Sequence, residues 1–123
     1  MVSGPALFDT CILIDYLRGV VAARVECDRH ADRAISIVTW MEVLAGATAA
    51  NEADTRALLL NFQLLPLSVE VAERAVAIRR KGRIKLPDAI IKATAELDRR
   101  VLITRNTRDF LAHGRGIHVP YRV

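Results

Sequence analysis

Apolar and polar residues fall along this chain in blocks, and the blocks come in two lengths. Short runs read as buried strands: Ala6-Leu7-Phe8 after Gly4-Pro5, Ala34 to Val38, Val101 to Thr104 and Ile117 to Pro120, with Gln63 to Leu67 a further short extended piece. Between them, apolar residues recur at three- and four-residue spacing, which predicts helices with one buried face. The first has Ile12, Leu13, Tyr16 and Leu17 at that spacing, with Thr10 able to cap it and Gly19 to stop it. A second runs from Val20 to Asp32 with Val21, Val25 and Cys27 inward, and a third from Thr39, whose pairing with Glu42 three residues on has the form of a capping box, to Gly46. Asn51 to Phe62 follows, led by Glu52 and Asp54 and carrying Leu58, Leu59 and Leu60. Ser68 caps the next, with Val71, Ala72, Ala75, Val76 and Ile78 on one side and Gly82 as its stop. Leu86-Pro87-Asp88 opens another, with Pro in the first turn where its missing N–H costs nothing. A last short helix, capped by Asn106 or Thr107, passes through Asp109, Phe110 and Leu111.

Short apolar strands alternating with helices imply right-handed crossovers and a parallel sheet. The expected fold is a three-layer α/β/α domain with four or five mostly parallel strands, and residues 1–123 form one domain. At 52% hydrophobic and 5% aromatic the core is aliphatic, which excludes a disordered chain. No stretch of eighteen apolar residues suggests a membrane span and the first residues lack a secretion signal, so a cytoplasmic location is expected. Cys11 and Cys27 make neither a disulfide framework nor a metal motif and read as buried thiols. His30, His113 and His118 have no metal spacing and read as surface or loop residues.

Charge adds a modest pointer toward a polyanion: 18 basic less 14 acidic residues leave +4. Basic residues gather between Arg79 and Lys85, at Arg99-Arg100, and at Arg105 and Arg108. Any one cluster reads sooner as a solvated face than as a nucleic-acid patch. Acids have a sharper distribution, with Asp9, Glu42, Asp88 and the pair Asn106/Asp109 each at a strand end or helix start. A parallel sheet points such positions toward one edge. Three carboxylates meeting there repel by about 4 kcal/mol per pair at 4 Å and an effective dielectric of ~20, so a cation is called for. Oxygen ligands without a Cys/His cluster suit Mg²⁺ or Mn²⁺, and such a site does phosphodiester chemistry while Arg105 and Arg108 hold a nucleic-acid backbone. Each acid has a plainer reading: Asp9 and Glu42 as helix caps, Asp88 on a helix dipole, Asp109 as a cap or a partner of Arg105.

Four blocks, in order, carry a resemblance: Phe8-Asp9-Thr10-Cys11-Ile12-Leu13-Ile14-Asp15, Val38-Thr39-Trp40-Met41-Glu42-Val43-Leu44-Ala45-Gly46, Leu86-Pro87-Asp88-Ala89-Ile90-Ile91-Lys92-Ala93-Thr94-Ala95 and Leu102-Ile103-Thr104-Arg105-Asn106-Thr107-Arg108-Asp109-Phe110. From residue 7 to about 120 the chain resembles the PIN-domain nucleases, and among them the VapC-type toxins of toxin–antitoxin pairs. The resemblance implies that Asp9 and Asp88 bind Mg²⁺, with Glu42 as the third acid. Asn106 stands where the family often has a fourth acid, and Asp109 follows one helical turn later. Thr104, and less clearly Thr10, would support the acids through their hydroxyls, beside Arg105 and Arg108 on the substrate side. It further implies an endoribonuclease that pairs as a homodimer and is held by a cognate VapB-type antitoxin able to place a basic side chain among the acids. Three alternatives stand beside it. One is a catalytically weak or inactive RNA- or protein-binding module, to which Asn106 lends weight. Another is an RNA-processing nuclease that is no toxin. The third is a phosphoacceptor receiver-type domain, disfavoured because the Ala34–Val38 strand ends without an Asp.

Overall fold

A computed structural model of the chain describes residues 4–110 and 116–122. The elements run β1 (Ala6–Phe8), α1 (Thr10–Leu17), α2 (Val21–Asp28), β2 (Arg33–Ser36), α3 (Ile37–Ala45), α4 (Glu52–Leu59), β3 (Gln63–Leu65), α5 (Val69–Lys81), α6 (Leu86–Leu97), β4 (Val101–Ile103), α7 (Thr107–Phe110) and β5 (Ile117–His118). Among the described residues the five strands form one sheet in the order β3-β2-β1-β4-β5, and every pairing is parallel. This is the α/β architecture expected, with the fifth strand present and none antiparallel.

Period-two alternation divides the strand residues between two cores. Ala6, Phe8, Ile35 and Ile103 face one side, where Ile12 and Leu13 of α1 and Leu58 and Leu59 of α4 cover them. Leu7, Ala34 and Leu102 face the other, under Ala75 and Ile78 of α5 and Ala89, Ile91 and Ala93 of α6. Both faces of the sheet are thus buried, which is why its strands are continuous apolar runs.

Several local expectations give way to tertiary packing. The second strand stops at Ser36, because Ser36 Oγ accepts from Thr39 N at 3.1 Å and starts α3 three residues earlier than Thr39 would. Glu42 is therefore no capping-box partner and is left exposed. Asp9, not Thr10, caps α1, its Oδ1 accepting from Thr10 N at 2.8 Å. On α2 the expected inward residues Val21 and Val25 are 71% and 53% exposed, and Glu26 turns inward instead. Partners explain the reversal: Glu26 takes Arg29 at 2.7 Å and His30 at 2.9 Å, and the ring of His30 packs edge-on to Phe8. His30 is hence fully buried, not a loop histidine; His118 is partly buried, and His113 and Leu111 lie outside the described residues. Of the three consecutive leucines, Leu58 and Leu59 are core and Leu60 is 86% exposed. Cys27 is buried but Cys11 only partly so.

Arg100 fastens the edge at which the strands begin. Its guanidinium donates to the Ala6 carbonyl at 3.4 Å, to Asp32 Oδ1 at 2.7 Å and to Gln63 Oε1 at 3.0 Å, and its Nε to Asp98 Oδ2 at 2.6 Å. One planar fork thus reaches the starts of β1, β2 and β3 from the residue before β4. The preceding residue, Arg99, follows the end of α6 with φ 55°, a left-handed conformation that favours glycine. Because the Cβ penalty there exceeds glycine's entropic cost, Arg99→Gly should raise unfolding stability by about 0.5–1 kcal/mol. Urea denaturation of the two proteins measures it.

Candidate active site

The sheet's connections leave β1 and β4 on opposite faces, α1 toward the core of Phe8 and α7, through Phe110, toward the core of Leu102. A crevice is unavoidable where neighbouring parallel strands send their chains apart, and ligands of α/β sheets bind there. Asp9 is the residue after β1 and Thr104 the residue after β4, and they meet across the crevice, Thr104 Oγ1 donating to Asp9 Oδ2 at 2.7 Å. Both side chains are buried.

Glu42 joins the site through the first residue of α1. Thr10 Oγ1 donates to Glu42 Oε1 at 2.7 Å and lies 3.1 Å from Thr39 Oγ1, so the residues after β1 and β2 share one hydroxyl network. Asn106 N donates to Thr104 Oγ1 at 2.9 Å, so that hydroxyl accepts from the loop amide while its single hydrogen goes to Asp9. Cys11 lies 3.4 Å from Asp9 Oδ2, and burial together with the Asp9 charge pushes its thiol up to about 11. At neutral pH it is a neutral thiol, not a thiolate ligand.

Asp88 stands in the first turn of α6. That helix enters β4 through only three residues, so its C-terminus lies where the strands begin and its N-terminus, at about 1.5 Å per residue, lies toward the edge where β1 and β4 end. Topology therefore places Asp88 on the same edge as Asp9 and Glu42. The carboxylates themselves are not drawn into one cluster: among the described residues no three His, Cys, Asp or Glu side chains come close enough to hold an ion. The side chain of Asp109 lies outside the described residues.

Of the basic candidates, Arg108 is exposed on α7 and Arg105 is engaged within the protein. Arg105 Nε donates to Asp15 Oδ2 at 2.6 Å and Nη2 to Asp15 Oδ1 at 3.1 Å, while Tyr121 OH donates to Asp15 Oδ2 at 2.9 Å. Sequence reasoning missed Asp15 and Tyr121. A signal for Asp15 was present in its spacing, three residues after buried Ile12 on the face of α1 that enters the core.

Electrostatically the two aspartates are opposites. Burial, above all, raises the Asp9 pKa; hydrogen bonds from Thr104 and Thr10 oppose it, and the Glu42 charge adds to it. Among the described residues no cationic side chain pairs with Asp9 or Glu42. The Asp15 pKa is lowered, mainly by the Arg105 hydrogen bonds. A buried carboxylate beside a second carboxylate and three hydroxyls, with no counter-charge, is an all-oxygen donor set matched to a hard divalent cation. Mg²⁺ asks for only one or two protein carboxylates and fills its remaining positions with water and phosphate.

Fold and site together define a class: α/β proteins that gather acids and hydroxyls at the carboxyl edge of a parallel sheet, at its topological switch point. Comparison with known proteins narrows this. The model of the PIN domain family matches residues 6–115. Ribonuclease VapC10 of Mycobacterium tuberculosis (strain ATCC 25618 / H37Rv) is 36% identical over 112 residues, 85% of this chain and 84% of that protein. A toxin–antitoxin complex from Klebsiella pneumoniae contains a chain of the same fold, with TM-score 0.89, 47% identity, and coverage of 96% of this chain and 99% of that one. DNA-bound VapBC from Salmonella typhimurium shares the fold at TM-score 0.77 and 24% identity, over 93% of this chain and 95% of that one. The chain belongs to the PIN-domain family and is a homologue of the VapC ribonucleases.

The opposed shifts of Asp9 and Asp15 predict opposed stability effects. Between the ordinary carboxylate value of 3.8 and its raised folded value, Asp9 binds more proton in the folded state, so its ionisation costs stability as pH rises through that window. In metal-free buffer at pH 7, Asp9→Asn should therefore melt higher than wild type, by roughly 4 °C for each kcal/mol of desolvation relieved, and the gain should vanish as pH falls to about 4. Asp15, with its lowered value, contributes stability that is complete above 3.8 and lost only as pH falls through the lower folded value. Asp15→Asn should cost about 2 kcal/mol at pH 7, a deficit that outlasts the Asp9→Asn gain on acidification. Thermal melts of the three proteins between pH 3 and 7 read both signs.

Proposed function

We propose that this chain is a Mg²⁺-dependent endoribonuclease and the toxin of a VapBC-type toxin–antitoxin pair. The observation that carries the reading is the Asp9 carboxylate, buried at the switch point on a Thr104 hydroxyl, coupled to Glu42 through Thr10, and matched by no cation among the described residues. Its relationship to a named ribonuclease and to a toxin–antitoxin complex at 47% identity supplies the reaction class and the biological setting.

In this reading Asp9, Glu42 and Asp88 would hold the cation, Asp88 from the first turn of α6. Held there, Mg²⁺ or Mn²⁺ would supply Lewis-acid activation of water and positive charge for the attacked phosphate. The chain's own residues perform the rest. Thr104 orients Asp9 through a hydrogen bond that leaves Oδ1 on the α1 amide, and Thr10 does the same for Glu42. Arg108 meets backbone phosphate from α7, and Asn106 orients water or substrate without adding charge. Glu42 also lines a cleft of about 260 Å³ between α1 and α3, bordered by Leu17 and Val43. An antitoxin segment lying there would set a basic side chain against Glu42 and displace both cation and substrate. Residues 1–123 act as one nuclease domain, in the cytoplasm and as a homodimer.

A second reading, a binding module of weak or absent catalysis, is favoured by Asn106 in the fourth position and by the open spacing of the acids. One assay separates the two. Purified chain incubated with RNA should cleave in Mg²⁺ and not in EDTA, and Asp9→Asn should lose more than about 100-fold, exceeding the 10–100-fold typical of outer-shell partners. RNA binding that persists in EDTA with no cleavage in any metal would establish the binding module.

A further inference from the structure

Thr104 and Arg105 are adjacent, yet they fasten to opposite ends of the first two turns of α1. Thr104 Oγ1 holds Asp9, the helix cap, and the Arg105 guanidinium holds Asp15 six residues on, about 9 Å along the axis at 1.5 Å per residue. A loop tied at one point can swivel about it; a loop tied at two points on one rigid helix cannot. A further bond completes the fastening: the Asn106 amide donates to Thr104 Oγ1. Tyr121, from the segment after β5, caps the remaining lone pair of Asp15 Oδ2 at 2.9 Å.

The chemistry of this tie is costly for a merely structural one. Asp15 is 2% exposed on the core-facing side of α1, where an aliphatic residue would pack without desolvating a charge. A bidentate Arg–carboxylate pair whose carboxylate is buried and whose guanidinium reaches the surface gives directional restraint more than net stability. The residue it restrains is next to the one that sets the Asp9 carboxylate.

We propose that Asp15, Arg105 and Tyr121 are positioning residues that hold the 104–106 loop over Asp9 and thereby set the affinity of the site for a divalent cation. The proposal rests on the reading of Asp9 as a metal ligand given above. It makes Arg105 an internal strut instead of a phosphate contact, and leaves RNA contact to Arg108.

The test is Mn²⁺ binding to the full chain, followed by electron paramagnetic resonance of free Mn²⁺, with RNA cleavage measured alongside. Arg105→Lys keeps the charge but loses the fork, Tyr121→Phe loses one hydroxyl, and Asp15→Asn removes the charge. The first two keep the test alive should Asp15→Asn fail to fold. Each folded variant should bind Mn²⁺ about 10-fold more weakly or worse, the range seen when outer-shell partners of a metal ligand are lost. At saturating metal their KM for RNA should stay within about twofold, because the strut does not touch substrate, while kcat falls. In a Thr104→Val background the same substitutions should add less than about twofold, since the strut acts through Thr104. Variants that melt lower yet bind Mn²⁺ like wild type would overturn the proposal, as would effects that multiply in the Thr104→Val background. The reading beneath it has its own arm: wild type and Asp9→Asn binding Mn²⁺ equally would overturn the metal site itself.

Discussion

The 2.7 Å hydrogen bond between Thr104 and Asp9 spans the one place where this fold must open. With β1 and β4 side by side and their following helices sent to opposite faces, nothing in the sheet itself closes the gap above them. The chain closes its floor with this contact and leaves the rim to α3 and α6, which bring Glu42 and Asp88 to the same edge. Position follows from topology, and chemistry follows from what topology buries. A carboxylate that caps α1 and accepts a threonine hydroxyl is held in one orientation before any ligand arrives, so little reorganisation remains for binding.

Asp9 differs from the protein's other buried charges in one respect. Glu26 has Arg29 and His30, Asp15 has Arg105 and Tyr121, and Arg100 has Asp32 and Asp98. Each desolvated charge there is answered by its opposite. At Asp9 burial is answered by one hydroxyl, one amide and a neutral thiol, and the one charged influence named beside it, Glu42, is of the same sign. Proteins tolerate such an imbalance where a ligand corrects it, and the resulting cost is a common mark of functional sites. The contrast with the paired charges is what separates a candidate site from a cluster of polar residues.

Much of this was legible in the residues. Apolar runs of three to five positions gave the strands, Ser68 and Pro87 gave helix starts, and the acids at strand ends gave the edge. What was not legible depended on partners distant in sequence. Ser36 instead of Thr39 begins α3, because Ser and Thr are near equals as caps and the register of β2 decides between them. Helical periodicity assigned Val21 and Val25 to the core of α2, but Glu26 occupies it because His30 and Arg29 lie within reach once the helix packs below Phe8. Arg105 read as a substrate contact because a lone arginine after a strand gives no hint of a carboxylate ninety residues earlier. The spacing of Asp15 after Ile12 does place it on the inward face of α1, but nothing local to it names the arginine that answers its charge there.

The distribution of restraint along the sheet explains how one small fold supports both stability and an unbalanced charge. At the edge where strands begin, Arg100 draws β1, β2 and β3 together through acceptors on each, and its own charge is matched by two aspartates. At the opposite edge stand Asp9, Ser36 and Thr104, at or just past the ends of β1, β2 and β4, residues whose side chains serve helix caps and hydroxyl bonds. Rigid pairing at the first edge fixes strand register, and register fixes where the second edge ends. A slip of one residue in β4 would turn Thr104 to the other face and leave Asp9 without its hydroxyl. The precision of the acidic edge is therefore set from the basic one, through strands of three or four residues, too short to absorb an error between them.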